Sequence, residues 1–356
     1  MRRLVGALIA VVLCALCMTR AEASGTHSEG TVAMTVTEQG VYARQSPSVA
    51  APPAFLAAQG GVYAVTARTP AGDWLQVEGG WLPALLGEIQ GEVNGLPAIQ
   101  PPAAPVLNGN RTALPAWIPR ITARMRQRYQ SALRAGRNPR MFTVAGDSNS
   151  EWLRYQGRVA AGRFELGAWR TVAARFDPSF TRRSIAVRGG AGAFSMFDPA
   201  LAPIPPCRPD EGLFACELRI SNAGIVFIQL GTGDRFAWRE FEANYRRLID
   251  YALSQNVLAV LVTKADDMES WQGGAPIGYI NDTIRRLAQE YELPLLDFFA
   301  ATRTLPVVPN PELPHRPLMQ YGLHDEWGYY FHLTEDGYAL RILTTLQTLD
   351  AVTRGR

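Results

Sequence analysis

The sequence predicts an α/β fold with a parallel sheet covered by helices on both faces, preceded by a small all-β module. Two observations carry this. From residue 118 onward, short apolar runs alternate with stretches of helical period, the rhythm of strand–helix–strand units. Between residues 31 and 90 the segments are instead short and alternating, and Gly, Pro and Ser separate them, as in a small barrel. A chain of 356 residues also exceeds what one compact core usually uses.

The N-terminal third of the chain falls into four segments. Arg2 and Arg3 precede an apolar run from Val5 to Met18, and Ala21-Glu22-Ala23 offers small residues at a cleavage site before Ser24. Residues 1–23 therefore read as a signal peptide, with a retained anchor as the alternative, and the mature protein is expected to be secreted, periplasmic or held in the cell envelope. Residues 24–30 form a small, polar leader. The β segments are Thr31 to Thr37, Val41 to Arg44, Val62 to Ala67, Trp74 to Val77 and Gly80 to Leu82. Residues 91–116 contain Pro97, Pro101, Pro102, Pro105 and Pro115, and read as a linker partly stiffened by proline.

In residues 117–356 the expected helices span 118–135, 241–254, 279–291 and 337–352. The expected strands are Met141 to Ala145, Arg183 to Arg188, Ile225 to Leu230, Val257 to Thr263 and Pro294 to Phe298. Ligands of such sheets bind beyond the carboxyl ends of the strands. Three polar, Gly-rich loops leave those ends: Gly146-Asp-Ser-Asn-Ser150, Arg188-Gly-Gly-Ala-Gly192 and Gly231-Thr-Gly-Asp234. They are expected to converge on one crevice.

Composition narrows the function. Net charge is +3, and no dense basic patch is interleaved with aromatics, so nucleic acid is not an expected partner. The expected mature chain keeps two cysteines, Cys207 and Cys216. In an exported protein the pair reads as a disulfide, with free thiols as the alternative. The expected mature chain has no CxxC pair and no His-x-x-x-His cluster, so no metal or other cofactor is expected.

Ser148 follows an apolar strand at the turn into the next element. A serine there can expose its hydroxyl beside the N–H groups of a helix start, or merely cap that helix. It needs a base to act as a nucleophile. His332, in Phe331-His-Leu-Thr-Glu-Asp-Gly-Tyr338 before the last helix, is a loop histidine near the same sheet edge, with Thr334 as the helix cap. Asp147 is expected to fix the loop through backbone hydrogen bonds. Asp266-Asp267 reads as a solvated or capping pair. Core packing is the expected role of Trp152, Trp169, Trp238 and Trp271, with stacking on a sugar as the alternative.

Taken in order, Gly146-Asp147-Ser148-Asn149, the glycines at 189–192, Gly231-Thr232-Gly233-Asp234, Thr263-Lys264-Ala265-Asp266 and His332-Leu-Thr-x-x-Gly-Tyr338 resemble the blocks of the SGNH/GDSL hydrolases. The resemblance spans about residues 118–356. It implies a flavodoxin-like three-layer sheet and an extracytoplasmic esterase or deacetylase acting on an ester, O-acyl groups on cell-envelope glycan among them. It assigns Ser148 as nucleophile and His332 as general base. It assigns Ser148 and Gly189, or else Gly190, as oxyanion N–H donors.

Two positions depart from that pattern. Gly233 stands where the family has its oxyanion asparagine, and losing such a donor costs on the order of 100- to 1,000-fold in turnover. Tyr329 stands where an aspartate would orient the histidine, which leaves Asp325 or Glu326 to swing in, or a Ser/His dyad. The alternative function is a catalytically impaired binding protein of the envelope. Val41 to Ser48, Gly72 to Val77 and Gly80-Trp81-Leu82 are similar to bacterial SH3-like domains, which implies docking to cell-wall glycan or peptide. The other reading makes Trp74 and Trp81 barrel core.

Overall fold

A computed structural model describes residues 31–37, 41–47, 53–100, 107, 111–266, 274–305, 307–309, 319–321, 323–324, 332–333 and 335–354. The expected signal peptide, the leader, Trp271, Asp267, Asp325, Glu326, Tyr329 and Thr334 lie outside these residues.

The N-terminal part is all β. Its strands are β1 (Ala33–Val36), β2 (Val41–Arg44), β3 (Pro53–Ala57), β4 (Val62–Ala64), β5 (Ala67–Arg68), β6 (Trp74–Val77), β7 (Gly80–Pro83) and β8 (Gly87–Gln90). They pair antiparallel in two sheets, ordered β4-β1-β8 and β3-β2-β7-β6-β5. Successive side chains of a strand face opposite sides, and β6 and β7 are apolar on both. Leu75, Val77 and Leu82 face the module's own small core, with Val32, Met34, Val36 and Val41. Trp74 and Trp81 point the other way and are buried in the main core of the following part of the chain. At the same contact, Asp73 accepts two hydrogen bonds from Arg163, at 3.1 and 3.2 Å. The two tryptophans are thus covered by protein.

Residues 91–116 are engaged in part. Arg68 N–H donates to the Pro97 carbonyl and Ile99 N–H to the Arg68 carbonyl, which extends the β module. Leu107 is buried in the main core, and Arg111 pairs with Asp350 at 2.8 Å.

The larger part contains α1 (Ala123–Arg134), β9 (Asn138–Gly146), α2 (Gln156–Ala160), α3 (Arg170–Arg175), α4 (Asp177–Phe180), α5 (Leu213–Ser221), β10 (Ala223–Gln229), α6 (Trp238–Ser254), β11 (Leu258–Val262), α7 (Tyr279–Glu290), β12 (Leu295–Leu296), α8 (Phe298–Thr302), β13 (Val307–Pro309), β14 (Met319–Tyr321), β15 (Leu323–His324), β16 (His332–Leu333) and α9 (Glu335–Thr353). Strands β12-β11-β10-β9 form a parallel sheet in that order. Every residue of β10 and β11 is buried, as in a parallel sheet covered on both faces. Helices α1 and α9 pack together, and α5, α6 and α7 pack in succession, so the sheet lies between helical layers.

The strand expected at Arg183 to Arg188 is reduced to one parallel bridge, between Val187 and Gly146. Side chains take over the rest of the ladder. Ser184 Oγ donates to the Val144 carbonyl at 2.7 Å. The buried Glu217 carboxylate takes the Ile185 N–H at 2.9 Å and pairs with Arg182. With this segment counted as a strand, the order along the domain is 2-1-3-4-5, the flavodoxin-like arrangement.

The strand expected from Pro294 to Phe298 is only two residues long, because Asp297 caps α8. The helix expected from residue 118 starts at Ala123, after Thr122 caps it. Helices α2 to α5 were not foreseen. Cys207 and Cys216 form the expected disulfide. Trp169 is fully buried and Trp152 donates to the Phe180 carbonyl, so packing is their role. Among the described residues, no helix is long and apolar enough to cross a membrane.

Candidate active site

Strand β9 ends at Gly146, and the chain turns through Asp147 into a single helical turn, Ser148–Ser150. Asp147 caps that turn: its Oδ1 accepts the Asn149 N–H at 3.0 Å. This is the loop-fixing role expected of it. Burial pushes its carboxyl above the usual range, and Arg341, the Asn149 N–H, Lys264 and Thr232 pull it back. Gly146 has to be glycine, because a Cβ there would overlap Ser150 Oγ. Ser148 is half-buried between Asp147 and Asn149, both of which are buried.

The three loops do converge. Arg188 N–H donates to the Gly146 carbonyl at 3.1 Å and brings the second loop to the serine. A tight turn follows, with Ala191 N–H bonded back to the Arg188 carbonyl at 3.1 Å and Gly190 at φ +74°, a conformation that favours glycine. A Cβ built on Gly189 would lie 4.0 Å from the Ser148 Cβ. Among the described residues, the Gly189 N–H has no hydrogen-bond acceptor.

The third loop closes from the other side. Asp234 is fully buried and accepts from Ala193 N–H at 2.9 Å and Phe194 N–H at 3.4 Å. Gly233 packs directly on the second loop. A Cβ there would overlap the Ala191 carbonyl oxygen and lie 2.7 Å from the Gly190 oxygen. The space that an asparagine side chain would need at 233 is therefore filled by backbone. Gly233 contributes no side-chain donor, and its glycine is what allows loops 188–192 and 231–234 to touch.

Burial pushes the Asp234 carboxyl up to about 6, against the pull of the Ala193 and Phe194 N–H groups. A carboxyl raised by folding contributes its stability below its unfolded pKa of about 4 and loses it as pH rises through the folded value. The stability difference between wild type and Asp234→Asn is thus expected to shift against wild type from pH 4 to 7. Urea denaturation across that range measures it.

Asp266 is not solvated, as the sequence suggested. It is buried and accepts from Lys264 Nζ at 2.9 Å. Asn281 clamps the same turn, accepting from Lys264 N–H at 2.8 Å and donating to the Asp266 carbonyl at 2.9 Å. The reason is topological. The β11 end faces the interior beside the serine turn and the start of α8, where a buried charged pair is stabilised by mutual bonding. A cavity with room for about one water is lined there by Asp147, Asn149, Thr232, Lys264, Asp266 and Leu333.

His332 lies in β16, whose register pairs it with His324 of β15. The next residue, Leu333, donates its N–H to Asn149 Oδ1 at 3.1 Å, and the Tyr338 hydroxyl lies 3.4 Å from the same oxygen. The backbone of His332 therefore runs beside the serine turn. Asn149 was not foreseen in this role, because its partners lie about 185 residues further along the chain. Asp325 and Glu326, the carboxylates weighed as supports for His332, fall outside the described residues. Among the described residues no cluster of His, Cys, Asp and Glu could hold a metal ion.

No protein-family model and no curated protein matches the chain. Solved structures similar to it include a GDSL-like lipase from Bacteroides thetaiotaomicron, 11% identical, covering 64% of this chain and 98% of that one at a TM-score of 0.38. Another is a catalytic mutant of an acetylxylan esterase from Geobacillus stearothermophilus, 13% identical, covering 58% of this chain and 93% of that one at a TM-score of 0.36. Likeness at this distance assigns no activity.

Proposed function

We propose that the protein is an extracytoplasmic serine esterase or deacetylase of the SGNH type. One observation carries the reading: the Ser148 turn lies against both the Gly189 loop and, through Asn149, the strand that holds His332. In this reading Ser148 Oγ attacks the ester carbonyl and His332 takes its proton. The Ser148 and Gly189 N–H groups hold the oxyanion. His332 then protonates the departing alcohol, and water repeats the sequence on the acyl-enzyme. The substrates are esters, with O-acyl groups on cell-envelope glycan the class that fits export. The N-terminal module, read as SH3-like, would carry any contact to wall glycan or peptide on a surface other than its two buried tryptophans.

The test combines two probes. A fluorophosphonate is expected to label Ser148, and p-nitrophenyl acetate or acetylated glycan is expected to be hydrolysed above a Ser148→Ala control. Neither labelling nor hydrolysis would leave the second reading, an envelope-binding protein without turnover. The backbone filling the space beside Gly233 favours that second reading, since it denies the site a third donor.

A further inference from the structure

A buried arginine ties the serine turn to the last helix. Arg341 lies in the second turn of α9 and is 3% exposed. Its Nη1 donates to the Asn149 carbonyl and its Nη2 to Ser150 Oγ, each at 2.7 Å. The guanidinium lies over the Tyr155 ring, 4.4 Å from its centroid. The Tyr155 hydroxyl in turn meets Thr345 Oγ1, one turn further along α9, at 2.5 Å. Asn149 completes the tie from its other end, accepting from Leu333 N–H and facing the Tyr338 hydroxyl.

The two residues that follow Ser148 are therefore held by α9, and one of them also holds the residue after His332. A guanidinium removed from water carries a desolvation cost, and burial drives its pKa down. A well-packed apolar side chain would fill the same space without that cost. What it could not do is bond two oxygens of one tight turn in a fixed fork.

We infer that Arg341 is a positioning residue of the proposed hydrolysis: with Asn149 it sets the spacing between the Ser148 turn and the His332 strand. The inference rests on the esterase reading. Arg341 acts on the serine turn through Asn149 and Ser150 and through its charge near Asp147. Its loss should therefore appear in kcat rather than KM, because small misplacement of reacting groups is costly.

The experiment uses the full chain and the variants Arg341→Met, Arg341→Lys and Tyr338→Phe, each checked for folding by thermal unfolding. Two rates are read: fluorophosphonate labelling of Ser148 and turnover of p-nitrophenyl acetate. Arg341→Met is expected to lower labelling and kcat by about 10- to 100-fold with KM nearly unchanged. Arg341→Lys, which can bond one oxygen at a time, should recover part of that loss. Tyr338→Phe removes a single hydroxyl from Asn149 and should cost about threefold. Should Arg341→Met fail to fold, the other two carry the test. Wild-type rates in the folded variants overturn the inference while leaving the esterase reading intact. A wild-type protein that neither labels nor turns over removes the esterase reading, and the inference with it.

Discussion

Ser148→Ala, His332→Ala and the double variant are expected to fall to one common floor, at least about a thousandfold below wild type in kcat. In the proposed hydrolysis the two residues act as a unit. An unassisted serine hydroxyl is a weak nucleophile, and a histidine beside alanine has no proton to take. Once either is gone, removing the other costs nothing further. What survives is the contribution of the N–H groups of Ser148 and Gly189 and of substrate binding, since Ser148→Ala retains its backbone N–H. Equal floors measured with p-nitrophenyl acetate would support the shared role. Additive losses would mean that the residues act independently, and an unchanged His332→Ala rate would remove His332 as base.

The sheet and the meeting of the three loops were legible in the sequence because both depend on local pattern. Apolar runs at Met141 to Ala145 and Ile225 to Leu230 announce buried parallel strands, and glycines at their ends announce loops that approach closely. The edge segment at 183–188 was harder, because backbone bonds tie just its Ala186 to Arg188 end to Gly146, and Ser184 and Glu217 side chains hold the rest. Helices α2 to α4 are four to six residues long, too short for a period to emerge.

Within the site, Asp147, Ser148 and Gly189 could be read from their own loops. Asn149 and Arg341 could not, since their meaning comes from partners close to two hundred residues away. The docking of the β module did leave a signal. Trp74 beside Leu75, and Trp81 beside Leu82, make both faces of β6 and β7 apolar, which a module with one small core does not need.

Gly233→Asn tests the departure that most weakens the site. If the asparagine donor were simply missing, restoring it should raise turnover by up to 100-fold or more. The geometry predicts the opposite. The new side chain would begin inside the Ala191 carbonyl and within 2.7 Å of the Gly190 oxygen. These obstacles are backbone atoms, so no rotamer change relieves them. The loop at 188–192 would have to withdraw, and with it the Gly189 N–H beside Ser148. Stability is expected to drop by about 3 kcal/mol, the upper part of the overpacking range. Turnover is expected to fall at least about tenfold, by displacement of one oxyanion donor. Urea denaturation and p-nitrophenyl acetate kinetics on one preparation separate the two effects. A stable, faster Gly233→Asn protein would mean that the loop yields easily and that an empty donor position, not a filled one, lies at 233. A destabilised and slower one would mean that Gly233 is built into this site, with two backbone donors as its whole oxyanion machinery.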